Sequence, residues 1–320
     1  MRPFAYHPAV SLDDAAEQLA HPDAAPLGGG TDLLVCIEEG VASPHTLVDL
    51  RTVPGVRGIA LVSDGSLRIG ATTRLHEIAR DGVVRERWPA LARACDAVGT
   101  PALRHMGTLG GNLCQRPRCW YFRRNIACHK NGGSSCPAFD GENQYLAIVD
   151  GGPCFAVHPS DPAVALTALA ATVEIVGRHA TRSVPIAEFY RLPTERIDRE
   201  TVIEPGEFVA AVTLPPESAG GVQRYQKLMQ REAWDFALVS IAAVKRPSLD
   251  VRLVMGGVAP RPWRVNPSVE EDVASGRLDD DSVAALAERA LLDARPLSKN
   301  GYKLDLAAAL LRDAMRELSA

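Results

Sequence analysis

The chain has 320 residues, 46% of them apolar and 23% charged, with a formal net charge of −4. Those values describe a globular protein long enough for a sizeable core, and they exclude a general pull toward nucleic acid or an anionic membrane. No stretch approaches the roughly 18 unbroken apolar residues of a membrane helix, and Met1 to His7 contain no apolar secretory core. The expectation is therefore no membrane insertion, and a cytoplasmic chain unless a signal-bearing partner co-exports it to the periplasm.

In chain order, Ser11 is placed to cap a helix running to about Leu19, with Asp13 and Asp14 in its first turn. Pro26-Leu27-Gly28-Gly29-Gly30-Thr31-Asp32-Leu33 reads as a glycine turn feeding an apolar helix. Thr46–Leu50 reads as a strand, and Ile59–Val62 with Leu67–Gly70 as a hairpin around Asp64-Gly65. Helices are predicted over Arg74–Arg80 and Arg85–Val98, and a second glycine motif follows at Met106-Gly107-Thr108-Leu109-Gly110-Gly111-Asn112. The span from Gln115 to Gly152 has little periodicity and reads as a long inserted loop, which is rarely idle in a compact domain. Patterning resumes with helix Asp161–Ala171 and strands Thr172–Val176 and Phe208–Leu214. Pro215 to Gly221 has linker composition. Beyond it lie strands Arg224–Met229, Leu238–Val244 and Val251–Gly256, then helices Asp281–Leu292 and Leu304–Leu318. Irregular alternation with hairpins favours an α+β fold over a doubly wound sheet.

Glycines let consecutive backbone amides converge on an anion, and a following helix adds its dipole. Gly28-Gly29-Gly30-Thr31-Asp32 has that form, with neither the dinucleotide fingerprint spacing nor the lysine of a phosphate loop; the alternative is a turn with no ligand. Thr108-Leu109-Gly110-Gly111-Asn112 is a second site of close backbone approach. Asp161, in His158-Pro159-Ser160-Asp161, is either the cap of its helix or an acceptor for sugar hydroxyls.

Of seven cysteines, five fall between Cys114 and Cys154. Without a signal peptide, such crowding favours metal over disulfides. Structural zinc sites usually pair cysteines two to four residues apart; Cys119, Cys128, Cys136 and Cys154 are separated by eight, seven and seventeen residues. Arg116, Arg118, Arg123, Arg124 and Lys130 lie in a stretch without acids, which fits compensation of an anionic metal–thiolate site. Stacking of single-stranded nucleic acid on this arginine-plus-aromatic segment is the weaker alternative, because no companion basic face is visible.

Taken in this order, the three motifs resemble the FAD-binding medium subunits of the xanthine dehydrogenase and aldehyde oxidase family. Glu204-Pro205-Gly206-Glu207 and Gly256-Gly257-Val258-Ala259 match as well, so the resemblance covers essentially the whole chain. It implies a two-lobed, PCMH-type FAD domain over 1–219 with an iron–sulfur insertion at about 114–156, then a smaller α+β domain over 220–320. It implies that Pro26, Leu27, Gly28, Gly29, Gly30, Thr31, Asp32 and Leu33, with Gly107, Thr108, Gly110, Gly111 and Asn112, hold the FAD diphosphate. Asp161 would hold the sugar chain, and Lys227 would approach the flavin. The cysteine insertion is similar to that of FAD and [4Fe–4S] subunits of bacterial periplasmic-type aldehyde oxidoreductases, implying Cys119, Cys128, Cys136 and Cys154 as ligands of one [4Fe–4S] cluster. Cys114 is left over, read as lining the flavin pocket. The implied function is an oxidoreductase subunit relaying electrons from a molybdopterin-binding large subunit and a small subunit with two [2Fe–2S] clusters, through FAD, to an external acceptor. An aldehyde is the expected substrate. The alternatives are a 4-hydroxybenzoyl-CoA reductase-like or xanthine dehydrogenase-like enzyme, a free-standing flavin oxidase (disfavoured because neither glycine motif is followed by a tethering His), or a non-enzymatic metal-binding module.

Overall fold

The computed structural model describes residues 2–246, 250–276 and 278–319. Three strands near the N-terminus form a parallel sheet, with Thr46–Asp49 between Ala5–Pro8 and Ala24–Leu27. Parallel neighbours need crossovers, and helices Leu12–Leu19 and Leu33–Glu38 supply them. Ser11 caps the first, its hydroxyl accepting from the Asp14 amide at 3.1 Å. Strand Ala24–Leu27 runs straight into Gly28, so the first glycine turn sits at the carboxyl edge of a parallel sheet, where ligand crevices form.

A second, five-stranded antiparallel sheet has the order Ile59–Leu61, Leu67–Gly70, Phe208–Leu214, Thr172–Val176 and Thr181–Pro185. A third, four-stranded antiparallel sheet consists of Val222–Leu228, Val239–Lys245, Val251–Gly256 and Trp263–Arg264. Helix Asp161–Ala168 joins the parts. All of its residues are buried, as expected for a helix that is apolar on every side. Strand residues alternate between two cores. Ala242 and Val244 join the core of this helix, whereas Ile241 and Ala243 pack with Leu310, Leu311 and Met315 of helix Tyr302–Ser319. One apolar core therefore runs from the glycine-motif elements into the C-terminal sheet.

The mixed helix-and-sheet reading holds, with local corrections. The single helix over Arg85–Val98 is two, Gly82–Arg87 and Pro89–Asp96, because Pro89 lacks the amide needed to continue the first. The span of linker composition is packed: Ser218 is fully buried, and its hydroxyl accepts from Trp88 Nε1 at 2.8 Å. Strand Thr181–Pro185 and helices Pro101–Met106 and Pro267–Ala274 are additional elements. No helix among the described residues is long and apolar enough to cross a membrane.

Candidate functional site

The two glycine motifs lie backbone against backbone. A Cβ on Gly29 would meet the Met106 carbonyl oxygen at 1.9 Å, and one on Gly28 would meet Thr108 Oγ1 at 2.6 Å. Gly30 has φ +73°, a left-handed turn that favours glycine. Thr108 caps the short helix Leu109–Leu113, accepting from the Gly111 amide at 3.3 Å. Asn112 Oδ1 accepts from the Ser160 hydroxyl at 2.6 Å, which brings in the third motif.

Two cavities flank this junction and share Gly111. The larger, about 570 Å³, is lined by Pro26, Gly28, Thr108, Gly110, Gly111 and Cys114, and is closed by Arg199 to Val209. The smaller, about 270 Å³, is lined by Thr31, Asp32, Gly107, Asn112, Asp161 and Lys227, and is closed by Val98, Leu103, Trp234 and Phe236. A long, two-ended ligand would fill both. Gly29 and Gly30 shape the turn without lining either space. Leu27 is buried beside Ile37 and Leu47 with Leu33 packed on that cluster, so these two leucines anchor the turn rather than face a ligand. The Arg199–Val209 and Val98–Leu103 walls were missed as site residues; Glu204-Pro205-Gly206 was the signal available for the first.

Three assignments change in detail. Ser160, not Asp161, caps the central helix, accepting from the Ala163 amide at 3.1 Å. The Asp161 carboxylate accepts from Tyr225 OH at 2.6 Å and from Lys227 Nζ at 2.8 Å, and Lys227 also donates to Ala97 O at 3.0 Å. Burial pushes the Asp161 carboxyl up, against the opposing pull of Lys227 and Tyr225. The Asp32 side chain caps none of the first amides of its own helix. Its carboxylate accepts from Arg118 Nη1, Arg123 Nη2 and the Arg116 amide at 2.6, 2.7 and 2.7 Å. Burial raises its pKa, but Arg118 and Arg123 outweigh that and hold it below the ordinary value.

Cys119, Cys128, Cys136 and Cys154 line one small cavity, walled by Phe122, Lys130, Leu146 and Phe155. Burial raises the Cys119 thiol, and the amides of Phe122 and Tyr121 act against it. Burial pushes Cys154 up to about 11, opposed by the Ala156 amide and Lys130. Cys36 and Cys95 lie outside this cage, and Cys114 faces the larger cleft. Among the described residues, no three His, Cys, Asp or Glu side chains converge tightly enough for a single metal ion.

The basic residues of the insertion do more than surround the cage. Arg116 and Lys130 pair with Glu200 at 2.8 and 2.7 Å, Arg118 pairs with Asp32, and Arg123 pairs with Asp32 and Glu39. Of the five basic residues only Lys130 lines the cysteine cavity; Arg116, Arg118 and Arg123 dock the loop, and Arg124 is exposed, so the expectation of five compensating cations is revised to one. Cage and cleft adjoin: Arg118 precedes Cys119 and lines the smaller cavity, and Ala156 of the cage is three residues from Pro159 of that cavity. Three extended residues span at most about 10 Å. Between them His158 is buried, packed 4.4 Å from the Tyr190 ring, with neither ring nitrogen hydrogen-bonded among the described residues. Burial holds its pKa down at about 3, so the ring is neutral.

Against known proteins, residues 2–217 match the model of the FAD binding domain in molybdopterin dehydrogenase, and residues 224–318 match that of the CO dehydrogenase flavoprotein C-terminal domain. The chain is 37% identical to the aldehyde oxidoreductase FAD-binding subunit PaoB of Escherichia coli, over 100% of this chain and 99% of that one. It is 28% identical to an Escherichia coli xanthine dehydrogenase FAD-binding subunit, over 92% and 87% of the two chains. Among solved structures, reconstituted CO dehydrogenase from Oligotropha carboxidovorans aligns with a TM-score of 0.76 at 24% identity, covering all of both chains. Quinoline 2-oxidoreductase from Pseudomonas putida aligns with a TM-score of 0.76 at 23% identity, over 99% and 97% of the two chains. At those identities the structural likeness speaks for the fold alone.

Proposed function

Since the chain belongs to the family of FAD-binding medium subunits of molybdenum hydroxylases, we propose that it is the electron-relay subunit of an aldehyde-oxidising member, and that it holds a [4Fe–4S] cluster beside its FAD. The observation that carries the cluster is four cysteines, far apart in sequence, around one cavity next to the glycine cleft. Substrate chemistry would lie on a molybdopterin-binding large subunit, with a small [2Fe–2S] subunit between. The aldehyde is favoured by the PaoB likeness.

In this reading FAD spans both cavities. Gly28, Gly110 and Gly111 admit the diphosphate close to backbone, with Thr31, Thr108 and Asn112 as short hydrogen-bonding side chains. Asp161 and Lys227 form one fixed, nearly neutral pair at the wall of the smaller cavity, so the pair orients a polar ring edge without adding net charge. When bound, the flavin supplies exchange between one- and two-electron transfer. The thiolates of Cys119, Cys128, Cys136 and Cys154 would hold the cluster, with Lys130 offsetting its charge. Buried His158 keeps water and a second positive charge out of the partition between the two sites. The domain division at about residue 219 belongs to the same proposal.

The test is to purify the chain alone and with its two partners, then assay aldehyde oxidation with an artificial dye. The complex is expected to turn over and the lone chain to stay inactive; robust turnover by the lone chain contradicts the relay reading. Acid precipitation is expected to release the flavin, because neither glycine motif is followed by a tethering His.

A further inference from the structure

We propose that the cysteine loop is a charge clamp on Asp32 and Glu200, so that filling the cysteine cage and binding FAD strengthen one another. This rests on the cofactor reading above. An Asp directly before a helix ordinarily turns its carboxylate onto the first helical amides. Asp32 precedes Leu33–Glu38 and makes no such bond. Its oxygens accept instead from Arg118, Arg123 and the Arg116 amide, all from the cysteine loop. Glu200 repeats the arrangement on the other side, with Lys130 Nζ 2.7 Å from Oε1 and Arg116 Nε 2.8 Å from Oε2. Asp32 lines the smaller cavity and Glu200 the larger. Each carboxylate therefore faces space assigned to a diphosphate-bearing cofactor.

Like charges in a cleft only partly screened by water repel. With the loop docked, both carboxylates are matched by cations and a diphosphate meets little repulsion. The loop has little regular structure to keep it in place: one helix, Trp120–Arg123, and the turn His129–Asn131. Its position therefore depends on side-chain contacts and on whatever its cysteines bind. Two residues transmit that dependence. Lys130 is itself in the cage wall, and Arg123 follows Phe122 of that wall and reaches Asp32, Glu39 Oε2 at 3.3 Å and Cys36 Sγ at 3.0 Å. An empty cage loosens both and returns two unmatched carboxylates to the cleft. Binding linkage is reciprocal, so bound FAD must favour a filled cage by the same factor. The loop thus acts on FAD through the charge of Asp32 and Glu200, which face the cleft.

The experiment titrates the flavin-free full chain with FAD by fluorescence quenching, with iron measured on each preparation. Cys136→Ser is introduced into the wild type and into an Asp32→Asn Glu200→Gln background. The expected result is that Cys136→Ser weakens FAD binding about tenfold in the wild type and less than about twofold in the double-substituted background. Equal FAD affinity with and without iron, or the same tenfold loss in both backgrounds, overturns the clamp. If the Asp32→Asn Glu200→Gln chain does not fold by circular dichroism, Arg118→Gln takes its place. It leaves both carboxylates and removes one donor, and it is expected to weaken FAD binding even with iron present; unchanged affinity overturns the clamp. A wild-type chain that binds no FAD, or holds no iron, overturns the clamp together with the cofactor reading, and is distinguishable from the uncoupled result because the missing component is measured directly.

Discussion

The glycine cleft and the cysteine cage lie side by side but are built by different means. The cleft is made of backbone on regular elements: a parallel strand delivers Gly28, a capped helix presents Gly110 and Gly111, and the two packed motifs leave no room for a Cβ at Gly29. The cage is made of side chains on a segment with little secondary structure, tied down by ion pairs to Asp32 and Glu200. A backbone-built site exists before its ligand arrives. A site built from thiols on a loop takes its shape partly from what it binds.

That contrast can be broken at several points. The largest effect is expected inside the cleft at the buried ion pair. Asp161→Ala leaves Lys227 buried without a counter-charge and should destabilise the chain by about 3–5 kcal/mol, read as a lower urea midpoint. Replacing both residues by apolar ones should restore most of the loss. A cost under ~1 kcal/mol would mean that water reaches Lys227 and that the cleft is less rigid than described. Next comes Gly29→Ala, whose Cβ would collide with backbone at Met106. Overpacking of this kind costs about 1–3 kcal/mol, so FAD affinity should fall roughly ten- to hundredfold while iron content drops less. If FAD binding is unaffected, the two motifs do not form one surface.

The partition between the sites gives a pH signature. His158 is neutral and buried with a pKa near 3, against about 6.5 in an unfolded chain. Between those values the unfolded state binds the extra proton, so stability falls as pH drops below about 6.5. The slope reaches ~1.4 kcal/mol per pH unit for this group. His158→Gln should flatten that slope in acid unfolding; an unchanged slope would mean that other groups dominate it. The smallest effect is expected on the outside of the cage, where Lys299 pairs with Glu142 in solvent. Glu142→Gln should change stability by under ~1 kcal/mol and leave iron content unchanged.

Legibility in the sequence follows the same contrast. Strands Thr172–Val176, Phe208–Leu214 and Val251–Gly256 were readable to the residue, because β-branched and apolar runs between turn residues have few alternatives. The glycine motifs were readable because only glycine permits such close approach. The partners of Asp32 and Asp161 were not. A carboxylate beside glycines looks the same in a sequence whether it faces a ligand or an arginine 86 residues away. The break at Trp88-Pro89 is written in the chain as a proline, which cannot continue the helix before it. Cys114 was separable from the cage by its place next to Gly110-Gly111, whereas the convergence of Cys119 with Cys154 depends on tertiary pairing that local pattern does not encode.

The most direct test of the central claim, that one chain holds FAD and a four-cysteine cluster side by side, is elemental and flavin analysis of the chain purified without oxygen. The account predicts about four irons per FAD, with the iron lost on replacing any one of Cys119, Cys128, Cys136 or Cys154 by Ser and kept in Cys36→Ser and Cys95→Ser. Zinc in place of iron, or full FAD occupancy with no metal in a competent wild-type complex, would contradict it.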